Sequence, residues 1–289
     1  MERASHIRID RQGAVGILTI ARRERHNSLD VTTAQDLRRA GLQLARDRAV
    51  RAVVLRGEGG VFCSGADLKY IRDGGDEAGL GYLQGSAAKT PGTGTGTGTG
   101  TGYGHIFKQI LEYLHCTISE IRRAPKPWVA AVDGAAAAGG LGLAMCCDLV
   151  VASERSWFEW AYLKTGLTGA ESSTFMLPRL VGLRKAMELV LLSPRLTARE
   201  ALAEGLINSV HPDGELDAAA LALAARLAEL PTEAVGVAKD LLNRAAGLDR
   251  LDVHLDAELT ELARIADGKN FAEGIAAFFG KRAPAFGSE

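Results

Sequence analysis

The stretch AAAAGGLGLAMCCD, Ala135–Asp148, decides the fold. Small residues lead into two adjacent glycines, a third follows, and then an apolar run rich in helix formers, the pattern of a loop tightening into a buried helix. Two physical reasons can keep side chains away from such a junction. One is close packing of helix on sheet. The other is approach of something to the backbone, because glycine at a helix start exposes N–H groups that suit an anion or a developing negative charge. The surrounding sequence has to choose between them.

Outward from this stretch, WVAAVDG (128–134) before it and DLVVAS (148–153) after it are apolar enough to be buried strands. Further upstream AVVLRG (52–57) is a third, followed by the glycine-rich loop GEGGVFCSGADL, which returns the chain toward a helix. At the N-terminal end, β-like segments His6–Asp10 and Val15–Ile20 flank RQGA, whose glycine suits a hairpin turn. Asp30 is placed to cap a helix through VTTAQDLRRAGLQLARD. From Leu180 almost to the end the pattern is helical. Strands alternating with helices and then yielding to a helical C-terminus predict an α/β fold with a mixed sheet.

Composition narrows the function classes. A 289-residue chain with 47% hydrophobic residues and a formal net charge of -1 can bury a large core and carries no charge excess for nucleic acid or an anionic membrane. No apolar run reaches spanning length, and MERASHIRID lacks the apolar core of a signal peptide, so a cytoplasmic location is expected. Cys63, Cys116, Cys146 and Cys147 show no CxxC spacing, so buried thiols are expected, with neither disulfide nor metal. Residues 90–102, TPGTGTGTGTGTG, have no apolar side chain and are expected to form a flexible insertion within one connection. They lack the lysine of a phosphate loop.

Taken in order, RHNSLD, GVFCSGADLK, PKPWVAAVDGAAAAGGLGLAMCCDLVVAS, GLTGAESSTFMLPRLVGLRKAMELVLLSPRLTAREALAEGLINSVHP and EGIAAFFGKRAPAF resemble the crotonase, or enoyl-CoA hydratase/isomerase, superfamily. The resemblance runs from about Ile17 to Phe286. It implies a spiral of ββα units over residues 1–200, a helical C-terminal oligomerisation region over 201–289, assembly as a homotrimer or hexamer, and a site for an acyl-CoA thioester with no cofactor beyond that coenzyme A. It also implies an oxyanion hole of two backbone N–H groups, at Ala66 in SGADL and Gly139 in AGGLG. Fixed donors of this kind suit a developing enolate oxygen. For coenzyme A the matching candidates are Ser64 and Leu68 at the adenine, with the Ala66 loop, and Arg25 and Lys281 at phosphates; either charge could equally be ordinary solvated surface.

The chain departs from the family where the reaction is decided. Hydratases carry one glutamate three residues after the oxyanion glycine and another four after the aromatic matching Phe158; here those positions are Gly142 and Tyr162. Two-glutamate hydration, which needs one carboxylate as base and one as acid, is therefore not expected. Isomerase-like and dehalogenase branches place a carboxylate at the position of Ala170, and Glu171 follows it directly. The dehalogenase branch also has a histidine base at the position of His115, a tryptophan at that of Tyr162 and a glycine at that of Gly142, but without a carboxylate at Ala170 halide displacement is not expected. Glu171 is the expected acid/base group, or else a carboxylate complementing a helix dipole. His115 is a candidate base or a packed core histidine, and Tyr162 a donor in the acyl pocket or a core aromatic. Glu159 is a possible alternative acid, Asp67 is expected to hold its loop, and His211 and His254 have no motif support. The expected function is an acyl-CoA enzyme that stabilises a thioester enolate and shuttles a proton, as in double-bond isomerisation. The alternatives are a hydrolase or C–C bond-processing enzyme using His115 or Tyr162, and a non-catalytic acyl-CoA-binding protein.

Overall fold

The computed structural model of the chain describes residues 5–75 and 102–287. β1 (Ile7–Gln12) and β2 (Val15–Ile20) form the antiparallel hairpin, with Gln12 opposite Val15 and Gly13 at a φ of +59° in its two-residue turn. Helix α1 (Val31–Arg46) follows, and the Asp30 side chain accepts the Thr33 N–H at 2.7 Å, the cap expected of it. β3 (Ala52–Gly57) then runs parallel to β2. After α2 (Leu68–Arg72) and α3 (Gly104–Arg123) comes β4 (Trp128–Val132), parallel to β3. The opening stretch resolves into β5 (Ala135–Ala137) and α4 (Gly139–Met145), followed by β6 (Leu149–Ser153), β7 (Trp157–Glu159), α5 (Ser173–Leu180) and α6 (Leu183–Leu192). The remaining elements are β8 (Leu196–Thr197), α7 (Ala198–Ala203), β9 (Ser209–His211), α8 (Leu216–Glu229), α9 (Thr232–Ala245), α10 (Leu251–Ala266) and α11 (Lys269–Phe279).

The main sheet has the order β1-β2-β3-β4-β6-β9, and a small sheet has the order β5-β7-β8. Both faces of the main sheet are covered, which explains why its central strands are apolar without interruption. Val15, Ile17, Ala52, Val54, Val129, Ala131 and Val151 face Leu216, Ala220, Ala224 and Ala228 of α8. The alternate residues, among them Leu18, Ile20, Val53, Leu55, Trp128 and Ala130, join the larger core with α1 and α3.

The α/β class and the helical C-terminal region are those expected. The stretch after residue 200 is woven into the core: β9 pairs with β6, and α10 packs on α3. The helical tail is also interrupted by β8 and β9, whose two and three residues are too short to register as a period. Cys63, Cys146 and Cys147 are buried thiols, but Cys116 is exposed, contrary to expectation, because it lies on the outer side of α3. The Gly/Thr insertion lies outside the described residues except for Gly102. Among the described residues no helix is long and apolar enough to cross a membrane, and no His, Cys, Asp and Glu cluster is arranged to hold a metal ion.

Candidate active site

The segment Cys63–Asp67 and the β5–α4 junction lie side by side. Leu29 donates its N–H to the Gly65 carbonyl and accepts that of Asp67, both at 2.9 Å, so that Ala66 bridges to Leu29 and turns its own N–H the other way. On the neighbouring strand Ala137 donates to Cys63 and Ala138 to Glu159, each at 3.0 Å. Gly65, at a φ of +89°, lets the two segments touch: a Cβ there would lie 3.0 Å from the Gly139 nitrogen. Among the described residues neither the Ala66 nor the Gly139 N–H meets an acceptor. Two free backbone donors at one junction are what an oxyanion hole requires.

Two of the three glycines have a more specific explanation than either first alternative. None of those in α4 has a positive φ; the strained residue is Ala138, with φ 48° and ψ -119°. A Cβ on Gly140 would stand 2.0 Å from the Cys63 carbonyl oxygen, which is helix-on-strand packing. A Cβ on Gly139 would stand 2.9 Å from the Glu171 Oε1, and one on Gly142 would stand 2.3 Å from the Glu171 carbonyl oxygen. Two glycines are bare because Glu171 fills the space beside them. The same crowding rules out a glutamate at position 142.

Glu171 and Ser172 both have left-handed backbones, at φ 52° and 62°, immediately before α5. Two successive non-glycine residues in that region store strain and must be held from outside. The Glu171 side chain is buried, accepts the Tyr162 hydroxyl proton, and has its pKa pushed up to about 8. Burial is the main cause, the Tyr162 hydrogen bond opposes it, and repulsion from Glu258 adds to it. The Tyr162 phenol is likewise driven well above its ordinary value by burial and by Glu171.

A cavity of about 800 Å³ joins these groups. Arg25, Ser64, Ala66, Leu68, Tyr162 and Glu171 all line it, with Ala138 beside Gly139. Arg25 is tied to Asp67, at 2.5 Å, and Asp67 also takes the guanidinium of Arg22 and caps α2 through the Tyr70 N–H, so Asp67 does hold its loop. Glu159 lines the cavity too, with its carboxylate engaged by Lys164 and by Arg195, which stacks on Trp157.

Three expected residues are not on the lining of this cavity: Gly139, which adjoins it through Ala138, and His115 and Lys281. His115, a candidate base, borders a different cavity; its Nε2 accepts the Glu171 N–H at 3.3 Å, and burial pushes its pKa down to about 4, which keeps the ring neutral. Lys281 is exposed just past α11, and Arg282 lines the cavity instead, held by Glu273. Sequence reasoning also missed Glu258. Its buried carboxylate accepts the Ser172 N–H at 2.8 Å and the Thr174 N–H at 3.0 Å, and His254 hydrogen-bonds the Thr174 hydroxyl at 2.8 Å. The signal was present: Leu251, Leu255, Glu258, Leu262 and Ala266 share the buried face of α10, and a lone carboxylate on an apolar stripe calls for buried donors.

The Enoyl-CoA hydratase/isomerase family model matches residues 10–83 and 105–289. The chain is 30% identical over 276 residues to 4-chlorobenzoyl coenzyme A dehalogenase-2 of an Arthrobacter species, covering 96% of this chain and 91% of that protein. It is 31% identical to the 1,2-epoxyphenylacetyl-CoA isomerase of Escherichia coli, covering 93% of each. Among solved structures, an enoyl-CoA hydratase from Mycobacterium avium subsp. paratuberculosis superposes with a TM-score of 0.82 at 29% identity, covering 99% of this chain and all of that one. The fold is therefore the expected spiral type with its helical C-terminal region.

Proposed function

The chain belongs to the enoyl-CoA hydratase/isomerase family, and on that premise we propose that it acts on an acyl-CoA thioester by moving a proton along the acyl chain, as in double-bond isomerisation. The thioester oxygen accepts the N–H groups of Ala66 and Gly139. Glu171 removes a proton from carbon, the electron pair moves into the carbonyl as an enolate on those two donors, and Glu171-H returns the proton at another carbon of the conjugated system. Tyr162 keeps the carboxyl group oriented through its hydroxyl. The observation that carries this reading is the buried Glu171 carboxyl beside Gly139, with a pKa near 8, where both protonation states are accessible around neutrality.

Other chemistries of the family have less support. Hydration calls for a second free carboxylate, and on the cavity wall Glu159 is engaged by two cations and Asp67 by Arg22 and Arg25. Halide displacement calls for a nucleophile at Ala170, which is a methyl group. Apolar side chains left exposed on α6 (Leu183, Met187, Leu191) and α9 (Val237, Leu241) support the proposal of a homotrimer or hexamer. The test is incubation of the full chain with a panel of acyl-CoAs in D2O, read by mass spectrometry. Deuterium should enter the acyl group without release of free thiol. Thiol release would favour a hydrolase, and binding with no exchange would favour a non-catalytic acyl-CoA protein.

A further inference from the structure

The turn that carries Glu171 has little local support. Glu171 and Ser172 are both left-handed, and the next local backbone bond, from the Ser173 N–H to Ala170, closes only the turn itself. What pins the turn comes from far away in the chain. Glu258 on α10 receives two successive-turn amides, those of Ser172 and Thr174, and His115 on α3 receives that of Glu171. We propose that Glu258 is a positioning residue, whose buried carboxylate holds Glu171 and Ser172 in the left-handed conformation that turns the Glu171 carboxyl toward Tyr162 and Gly139. The inference rests on Glu171 being the acid/base group.

Geometry gives Glu258 a second effect. The groups facing Glu171 are Tyr162 from the turn after β7, Cys63 from the loop before β5, His115 from α3 and Glu258 from α10, with His254 reaching Glu258 and Thr174. His115 is kept neutral by burial, and Tyr162 and Cys63 keep their protons. Glu258 is thus the facing group whose negative charge bears on the Glu171 proton, and its repulsion helps keep that proton bound. One carboxylate both aims the catalytic group and adds to the burial that keeps it protonated.

The experiment is the titration of Glu171 in the intact protein, followed by the ¹³C signal of labelled glutamate carboxyls and assigned by its loss in Glu171→Gln. It needs no turnover. In Glu258→Gln the Glu171 midpoint should fall by about 1 pH unit. The kcat for deuterium exchange should fall roughly 10- to 100-fold with KM changed little, because the group is misaimed while the binding surface is intact. Ser172→Gly added to Glu258→Gln should recover part of kcat, since glycine adopts the left-handed turn unaided. If Glu258→Gln does not fold, Glu258→Asp takes its place: it keeps the charge and withdraws the carboxylate, so kcat should fall with the midpoint unmoved. An unmoved midpoint and an unmoved pH profile in folded Glu258→Gln, or wild-type kcat in Glu258→Asp, overturn the proposal. Full exchange activity in Glu171→Gln is a different result and removes the acid/base reading itself.

Discussion

Two left-handed corners frame the cavity, and they are held in opposite ways. Ala138, before α4, is fixed by main-chain ladders on each side, through Ala137 to Cys63 and Ala138 to Glu159. Glu171 and Ser172, before α5, are fixed by two side chains, His115 and Glu258. The first corner presents backbone donors and the second presents a carboxyl group. A corner built of backbone is insensitive to pH and fails when a side chain is added. A corner pinned by side chains fails when a side chain is removed and responds to protonation.

The sharpest way to break the comparison is at the second corner. Glu171→Gln keeps the shape and the Tyr162 contact while removing the base, so kcat for proton exchange should fall about 10²- to 10⁴-fold with affinity for the CoA thioester little changed. Steady-state exchange with a measured Kd checks both halves. If kcat is retained, the two corners do not divide the work as described. The wild-type rate, in turn, should rise with pH up to about 8, following loss of the Glu171 proton.

At the first corner the damaging change is an addition. Gly139→Val would put a branched side chain 2.9 Å from the Glu171 Oε1 and across the route to the Gly139 N–H. The loss of one such donor costs about 10²- to 10³-fold in kcat. Circular dichroism should show a folded protein, because the clash is with the far end of a side chain. Gly140→Ala has a different target: its Cβ meets the Cys63 carbonyl at 2.0 Å, so it should cost about 1–3 kcal/mol of stability by overpacking, read from urea unfolding.

The same division explains what could be read from the sequence. The first corner is local: glycines, small residues and flanking apolar strands lie within one stretch, so its shape was legible there, while the pairing of Ala66 with Gly139 as donors came from the family resemblance. The second corner is assembled from residues 56 to 86 positions apart, bridged by hydrogen bonds to Glu171 and Ser172. No local period announces such a partnership. Of the two readings of His115 the structure shows the packed, hydrogen-bonded one, with a partner no local pattern could name, and Glu258 was passed over as part of a helix. Glu171 itself was legible as a residue type near the right place, but its left-handed turn, which lets a residue one position late still reach the cavity, is a tertiary fact. Lys281 shows the limit for charges: its neighbour Arg282 reaches the cavity, and composition gives no means of choosing between adjacent cations.

The remaining effect is thermodynamic and requires no substrate. A carboxyl whose pKa rises from 4.5 in the unfolded chain to about 8 in the folded one keeps its proton over a range where the unfolded chain has lost it. Below about pH 4.5 both states are protonated and Glu171 contributes no slope. Between the two values the folded state binds more protons, so stability falls as pH rises, by at most about 1.4 kcal/mol per pH unit, and above about pH 8 the slope vanishes again. Carboxylates held low by ion pairs have the opposite sign and act at lower pH, so the wild-type curve alone mixes both. Subtracting the stability of Glu171→Gln isolates this one group. Unfolding in urea at pH 5, 6, 7 and 8 should show the wild type losing stability relative to Glu171→Gln across that range. Parallel curves for the two proteins would mean that the Glu171 carboxyl is solvated, and the side-chain-pinned corner would then lose its distinction from the backbone one.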